Sequence, residues 1–275
     1  MTNVALYQSN TGIDLEENAA ALIDAVSEAA AGGAEMLFTP EMSGLLDRDK
    51  ARAAKNLRNE DDDLVLAACR DAAKRNRIWL DVGSLAIRLA DGKLANRCFV
   101  IDREGEIRAR YDKMHLFDVD LPTGESWRES AVYSAGEGAA LVNGTPVGKL
   151  GLTICYDLRF PMLFARIAEA GADVISVPAA FTVPTGRAHW HVLLRARAIE
   201  AGLFVVAAAQ AGRHADGRQT FGHSLVVDPW GDVLLDMGED IGVGFVDIDL
   251  SRISDVRSRI PALNHRRIIP DAVSL

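Results

Sequence analysis

The sequence has little cysteine, no long apolar run and no excess of basic charge. Cys69, Cys98 and Cys155 are its only cysteines in 275 residues, far apart and without a Cys-x-x-Cys pair. That odd, scattered set speaks against a disulfide framework and a thiolate zinc site, and it fits a reduced, cytoplasmic protein. No stretch approaches the ~20 apolar residues of a membrane span. The N-terminus, Met1 to Gln8, lacks the basic-then-apolar pattern of a secretory leader. Thirty Lys and Arg stand against 39 Asp and Glu, a net charge of −9. This balance argues against nucleic acid or an anionic membrane as partner. The six histidines include no His-x-x-x-His pair, and no carboxylates stand at ligand spacing, so no metal site is expected. Gly144-Thr-Pro-Val-Gly-Lys149 is one residue short of a phosphate loop, and Leu150 stands where the hydroxyl belongs.

What is present is core. At 49% hydrophobic, the chain can bury a large interior, and it reads as one domain over 1–275 with a basic, proline-punctuated tail from about 261. Val4 to Gln8, Met36 to Thr39 and Ile78 to Gly83 read as strands. Between them lie a helix from Leu15 to Ala31, capped by Asp14, and another from about Asp62 to Arg75. Two strands, Ala95 to Ile101 and Glu106 to Tyr111, flank a Gly105 turn. Leu121 to Ser134 reads as a long functional loop, and Asn143-Gly144 as a turn into a strand ending near Ile154. A helix from Pro161, a strand Ala172 to Val177, a helix from about His189 to Ala201 and a strand Leu203 to Ala209 follow. A hairpin about Pro229-Trp-Gly231, a strand Ile241 to Ile248 and a helix Ser251 to Arg259 complete the series. This is an α/β pattern: α/β units joined to antiparallel hairpins, twice over, which predicts two mixed sheets packed face to face with helices outside.

Three chemically complementary residues share one kind of place. Glu41, Lys113 and Cys155 each follow a strand, where α/β proteins gather functional groups. A carboxylate can move the proton, a cation can lower a thiol pKa and hold an oxyanion, and the thiol can attack. Taken singly, Glu41 reads as a solvated acid and Lys113 as a surface lysine, while Cys155 reads equally as a reactive or a buried structural thiol. A Cys–His pair stays open as well, with His115, His189, His191, His214, His223 and His265 available. Cys69 and Cys98 read as core packing.

Pro40-Glu41, Tyr111-Asp-Lys-Met-His-Leu-Phe117 and Gly151-Leu-Thr-Ile-Cys-Tyr-Asp-Leu-Arg-Phe-Pro161 resemble, in order, the three signature segments of the nitrilase superfamily of carbon–nitrogen hydrolases. The resemblance runs from Val4 to about Arg267. It implies a four-layer αββα sandwich, no cofactor, a dimer or larger homo-oligomer, and a Glu-Lys-Cys triad without a histidine base. Position by position, it implies Cys155 as nucleophile, Glu41 as general base and acid, and Lys113 as oxyanion stabiliser beside the Tyr156 N–H. Glu129 matches a fourth polar residue that orients the substrate or Lys113. Later segments, among them Ala180 to Trp190 and Gly222 to Gly231, resemble the branch of deaminated-glutathione amidase and ω-amidase. Cys155-Tyr156-Asp157 differs from the Cys-Trp-Glu common in nitrile-hydrolysing members. The implied reaction is hydrolysis of a primary amide in a small carboxylate-bearing substrate, with water, releasing ammonia through a thioester. Deaminated glutathione is the expected substrate; ω-amidase, N-carbamoyl or other aliphatic amidase activity on the same triad, or a catalytically silent binding subunit, are the alternatives. Arg159, Arg187 and Arg213 are the expected partners for the substrate's anionic ends.

Overall fold

The computed structural model of the chain describes residues 1–120, 124 and 126–270. Among these residues the first half builds β1 (Thr2–Gln8), α1 (Leu15–Ala31), β2 (Met36–Phe38), α2 (Lys50–Asn56), α3 (Leu64–Asn76), β3 (Trp79–Arg88), β4 (Leu94–Ile101) and β5 (Ile107–Asp112). A small hairpin, β6 (Asp118–Asp120) and β7 (Ser126–Arg128), leads to β8 (Ala140–Thr145), β9 (Gly148–Leu152), α4 (Pro161–Glu169) and β10 (Val174–Ser176). Then come α5 (Val183–Ala201), β11 (Phe204–Ala207), β12 (Ala211–Arg213), β13 (Gln219–Phe221), β14 (Leu225–Val227), β15 (Val233–Asp236), β16 (Gly242–Ile248) and α6 (Ser251–Arg259).

Two six-stranded sheets result, ordered β16-β1-β2-β3-β4-β5 and β15-β14-β11-β10-β9-β8. In each, three parallel strands form the middle and antiparallel strands the flanks. The period of two sorts the side chains. Val4 and Leu6 of β1 face the second sheet and join Leu150, Leu152, Val174 and Val205, while Ala5 faces Leu22, Val26 and Cys69 of α1 and α3. Leu163, Phe164, Trp190 and Leu194 of α4 and α5 cover the second sheet. The layers are therefore αββα, as expected from the alternating pattern.

Local chemistry explains most boundaries. The Asp14 carboxylate accepts from the Glu16 and Glu17 N–H groups and starts α1. Gly105 holds a positive φ of 81° in its hairpin. Three readings are corrected and one element was not foreseen. Asn143-Gly144 is a bulge inside the β8–β9 pair, and the chain turns at Pro146-Val147 instead. The helix read from His189 begins at Val183, because a proline in the first helical turn is compatible with helix. The short α2 has no buried side chain, so no apolar period announced it; Asp49 caps it. The stretch 121–134 carries β7 and a 3-10 turn, Glu129–Ala131, while Leu121, Pro122, Thr123 and Glu125 lie outside the described residues. The tail is tied down by Arg266, which donates to Ala165 O at 3.1 Å and Glu169 at 2.9 Å.

Candidate active site

The site lies beyond the carboxyl ends of the central parallel strands of both sheets. β2 runs into Pro40-Glu41, and β9 into Cys155. Cys155 N–H donates to Pro178 O at 2.8 Å, which ties the cysteine turn to the end of β10. Cys155 opens a 3-10 turn, Cys155–Arg159, at φ 48°. A side chain pays a steric penalty in that left-handed region, and a thiol held there stands clear of the strand.

Glu41, Lys113 and Glu129 form one buried ion cluster. Lys113 Nζ donates to Glu41 Oε1 at 2.8 Å and to Glu129 Oε2 at 3.0 Å. Lys113 is 2% exposed and Glu41 5%. Glu41 Oε2 accepts from the Ala180 N–H at 3.0 Å, and the Cys155 thiol lies beside the Glu41 carboxylate. Asn96, on β4, donates to Glu41 Oε1 at 3.0 Å and Glu129 Oε1 at 3.2 Å, and Glu129 Oε2 accepts from Phe117 N–H at 2.6 Å.

This packing sets the proton distribution. Burial pushes the Glu41 pKa up, but the Lys113 charge, the neighbouring Cys155 thiol and the bonds from Lys113 and Asn96 outweigh it, leaving Glu41 below its ordinary value. Burial opposes the Lys113 charge, yet the Glu129 and Glu41 carboxylates hold its pKa well above the usual lysine value. Burial and the Glu41 charge push the Cys155 thiol well above its usual value, and Lys113 offsets them only in part. Lys113 does lower the thiol pKa, as the sequence reading has it, but burial and Glu41 outweigh it and the net shift is upward. Two carboxylates already neutralise the one ammonium, so a thiolate would add a second net negative charge to a buried site. The resting state is a thiol, a carboxylate and an ammonium.

Asp157 holds the cysteine turn to the lysine segment. It is fully buried and accepts from Tyr111 OH at 2.7 Å, Ile154 N–H at 2.9 Å, and the His115 N–H and Nδ1 at 3.0 and 2.7 Å. The His115 ring stacks on Phe160. The Arg159 guanidinium lies 3.3 Å from His189 Nδ1. Among the described residues, no histidine hydrogen-bonds Cys155.

A cavity of about 960 Å³ opens over Glu41, Asn96, Glu129 and Cys155, walled by Phe117, Trp127, Tyr156, Arg159 and Phe181. Arg159 lies on it as expected. Arg187 and Arg213 do not; both are exposed. The Gly186 backbone packs against the Phe221 ring and turns the next residue of α5 outward. Arg48, Arg128 and Arg218 line the cavity instead. Arg48 and Arg218 lie over the Trp127 ring at 5.6 and 5.3 Å. Arg218 pairs with Asp216 at 2.7 Å, and Arg128 with Asp120 at 2.9 Å.

Sequence reasoning missed Asn96, Asp157, the Ala180 N–H and these three arginines. Asp157 and Tyr111 flank residues already singled out, so the motifs held a signal for them. Asn96 sits in an ordinary strand and carries none.

Comparison with known proteins agrees with this architecture. The carbon-nitrogen hydrolase family model matches residues 3–258. A deaminated glutathione amidase of Yersinia enterocolitica is 38% identical over 274 residues, covering 98% of this chain and 95% of that protein. The Caenorhabditis elegans NitFhit crystal structure superposes with a TM-score of 0.89 at 39% identity, covering 97% of this chain; the chain spans 65% of that fusion protein. A mutant of the amidase from Nesterenkonia sp. AN1, with the acetamide moiety of fluoroacetamide added covalently at its active-site cysteine, superposes with a TM-score of 0.80 at 26% identity over 97% of this chain and 94% of that one.

Proposed function

The chain belongs to the carbon–nitrogen hydrolase family, and from that premise we propose that it hydrolyses an amide bond of a small carboxylate-bearing substrate, foremost deaminated glutathione, through a thioester on Cys155. The observation that carries this reading is the convergence of Cys155 and Glu41 on one cavity floor, with the Lys113 ammonium bonded to Glu41 and Glu129 beneath it.

Cys155 Sγ attacks the carbonyl carbon while Glu41 takes the thiol proton. The raised thiol pKa supports transfer in concert with attack rather than a preformed thiolate. The oxyanion is held by the third N–H of Lys113, the other two being directed to Glu41 and Glu129, and by the Tyr156 N–H. The Cys155 N–H is engaged by Pro178 and supplies nothing. Glu41 returns the proton to the leaving nitrogen, the C–N bond breaks, and an amine departs. Water then attacks the thioester with Glu41 as base, releasing the acid and restoring the thiol. Glu129 and Asn96 are positioning residues that fix Lys113 and Glu41. The covalent acetamide adduct at the cysteine of the Nesterenkonia relative supports the nucleophile assignment.

The name of the Yersinia relative and the large, arginine-bearing cavity support the substrate. One expectation changes with it. Deaminated glutathione contains only secondary, peptide-like amides, so its leaving group is an amine and not ammonia. A homo-oligomer is supported by the exposed Ile199, Trp230, Leu234 and Ile260. Among the described residues no helix is long and apolar enough to cross a membrane; the three free thiols support a reducing compartment.

The test is product release from deaminated glutathione, α-ketoglutaramate, succinamate, an N-carbamoyl amino acid and a nitrile, assayed for both amine and ammonia. Deaminated glutathione is expected to give the highest kcat/KM, and Cys155→Ala none. Full activity in Cys155→Ala overturns the mechanism; preference for a primary amide overturns the substrate and keeps the mechanism.

A further inference from the structure

Outside the cavity, the fold assembles a second group of ligand-type side chains from three separate elements. His191 lies on α5, His223 in the connection between β13 and β14, and Asp236 ends β15. Asp236 Oδ2 lies 3.0 Å from His191 Nε2, and Asp236 Oδ1 lies 2.8 Å from His223 Nδ1. One donor atom from each residue falls within a set whose members lie no more than 4.8 Å apart. None of the three lines the cavity that holds Cys155.

We propose that His191, His223 and Asp236 bind one divalent transition-metal ion, zinc foremost. Two imidazole nitrogens and one carboxylate oxygen are a zinc donor set. The side chains are 35%, 23% and 33% exposed, so solvent reaches a fourth coordination position. Small rotations bring three such atoms to the ~2.0–2.2 Å bond lengths zinc requires. Binding exchanges the two N–H···O contacts for metal bonds. Each neutral ring keeps its one proton, which moves to the other nitrogen, so charge and protons balance.

The site is held in place. His223 adopts φ 55°, unusual for a non-glycine residue. Two backbone bonds fix it there: its carbonyl accepts from Trp190 Nε1 at 2.7 Å, and its N–H donates to Gly238 O at 2.6 Å. The His223 ring stacks on Phe221 at a centroid distance of 4.4 Å. Asp236 Oδ1 also accepts from the Gly238 N–H, which orients the carboxylate. A bound ion would fasten α5 to the strands that follow it. Phe221 N–H donates to Phe181 O, and Phe181 walls the cavity, so the fastening borders the reactive site.

Equilibrium dialysis of chelator-treated protein against Zn²⁺ tests this, in a Cys155→Ala background that removes the cavity thiol as a competing ligand. One ion per chain is expected, with a Zn²⁺-dependent rise in Tm and visible d–d bands when Co²⁺ replaces Zn²⁺. His191→Ala and His223→Asn are each expected to weaken binding at least ~10-fold and to abolish the Tm response. Asparagine tolerates the left-handed backbone at 223, and His191 lies on an outer helix face, so at least one variant folds. Parent protein that binds no zinc overturns the proposal, as does binding of equal strength in both variants.

Discussion

At the scale of the residue, the site turns on which group carries the proton. Burial and the Glu41 charge keep Cys155 protonated, although an ammonium lies nearby. The general base is therefore also the main electrostatic obstacle to a free thiolate. Glu41→Gln removes that charge while keeping the shape. The Cys155 pKa is expected to fall, because the like charge beside the thiol is gone, even as turnover is lost. Thiolate ultraviolet absorbance against pH, with Cys155→Ala as baseline, measures it; an unchanged titration would remove Glu41 as the controlling charge. Thiol reactivity and amidase activity thus move in opposite directions in one variant, an outcome that a merely structural Glu41 does not produce.

At the scale of the element, catalytic geometry depends on how closely the strand ends approach. Gly83, inside β3, lies where a Cβ would collide with Thr39 O, Pro40 O and Pro178 Cβ. Pro40 precedes Glu41, and Pro178 O receives the Cys155 N–H. A methyl group at 83 would therefore separate the segments that carry the base and the nucleophile. Overpacking of this kind costs about 1–3 kcal/mol. Gly83→Ala is expected to lower Tm and to reduce kcat more than KM. Wild-type turnover in that variant would show that the two segments need not touch. Asp157 joins the same assembly from the other side, holding Tyr111 and His115 of the lysine segment to Ile154 of the cysteine turn. The role of Gly83 was not legible beforehand, and neither were the partners of Asp157, although its place in the cysteine motif marked it. A strand glycine looks ordinary until the two sheets face each other.

At the scale of the whole molecule, the seam between the sheets carries a buried carboxylate. Asp81 of β3 is fully buried, accepts from Cys98 Sγ at 3.1 Å through Oδ1, and leaves Oδ2 without a hydrogen-bond partner. Burial pushes its pKa up to about 6 from 3.8. The folded state therefore binds more protons than the unfolded chain between those values. Its ionisation penalty is fully present above pH 6 and is relieved as pH falls toward 4. A shift of roughly two units corresponds to about 3 kcal/mol. Asp81→Asn is expected to raise stability by up to that amount at pH 8, with the advantage shrinking toward pH 4. Denaturant midpoints at both pH values measure it, and a gap independent of pH would place the cost elsewhere.

The sequence by itself determined the alternation of strands and helices, the four layers and the three strand-end residues Glu41, Lys113 and Cys155. Periodicity and capping act over a few neighbouring residues, so they can be read along the chain. The family resemblance added Glu129. Only the tertiary structure decided that Glu129 and Glu41 share one ammonium, that Asn96 bonds to both carboxylates, that Arg48, Arg128 and Arg218 line the cavity while Arg187 and Arg213 face outward, and that two histidines 32 positions apart meet Asp236. Hydrogen bonds and charge interactions act over a few ångströms of space, and residues distant in sequence come within that range only when the sheets pack. The same packing, by withdrawing water from Cys155 and Glu41, set the direction of the thiol pKa, which no spacing of residues could reveal.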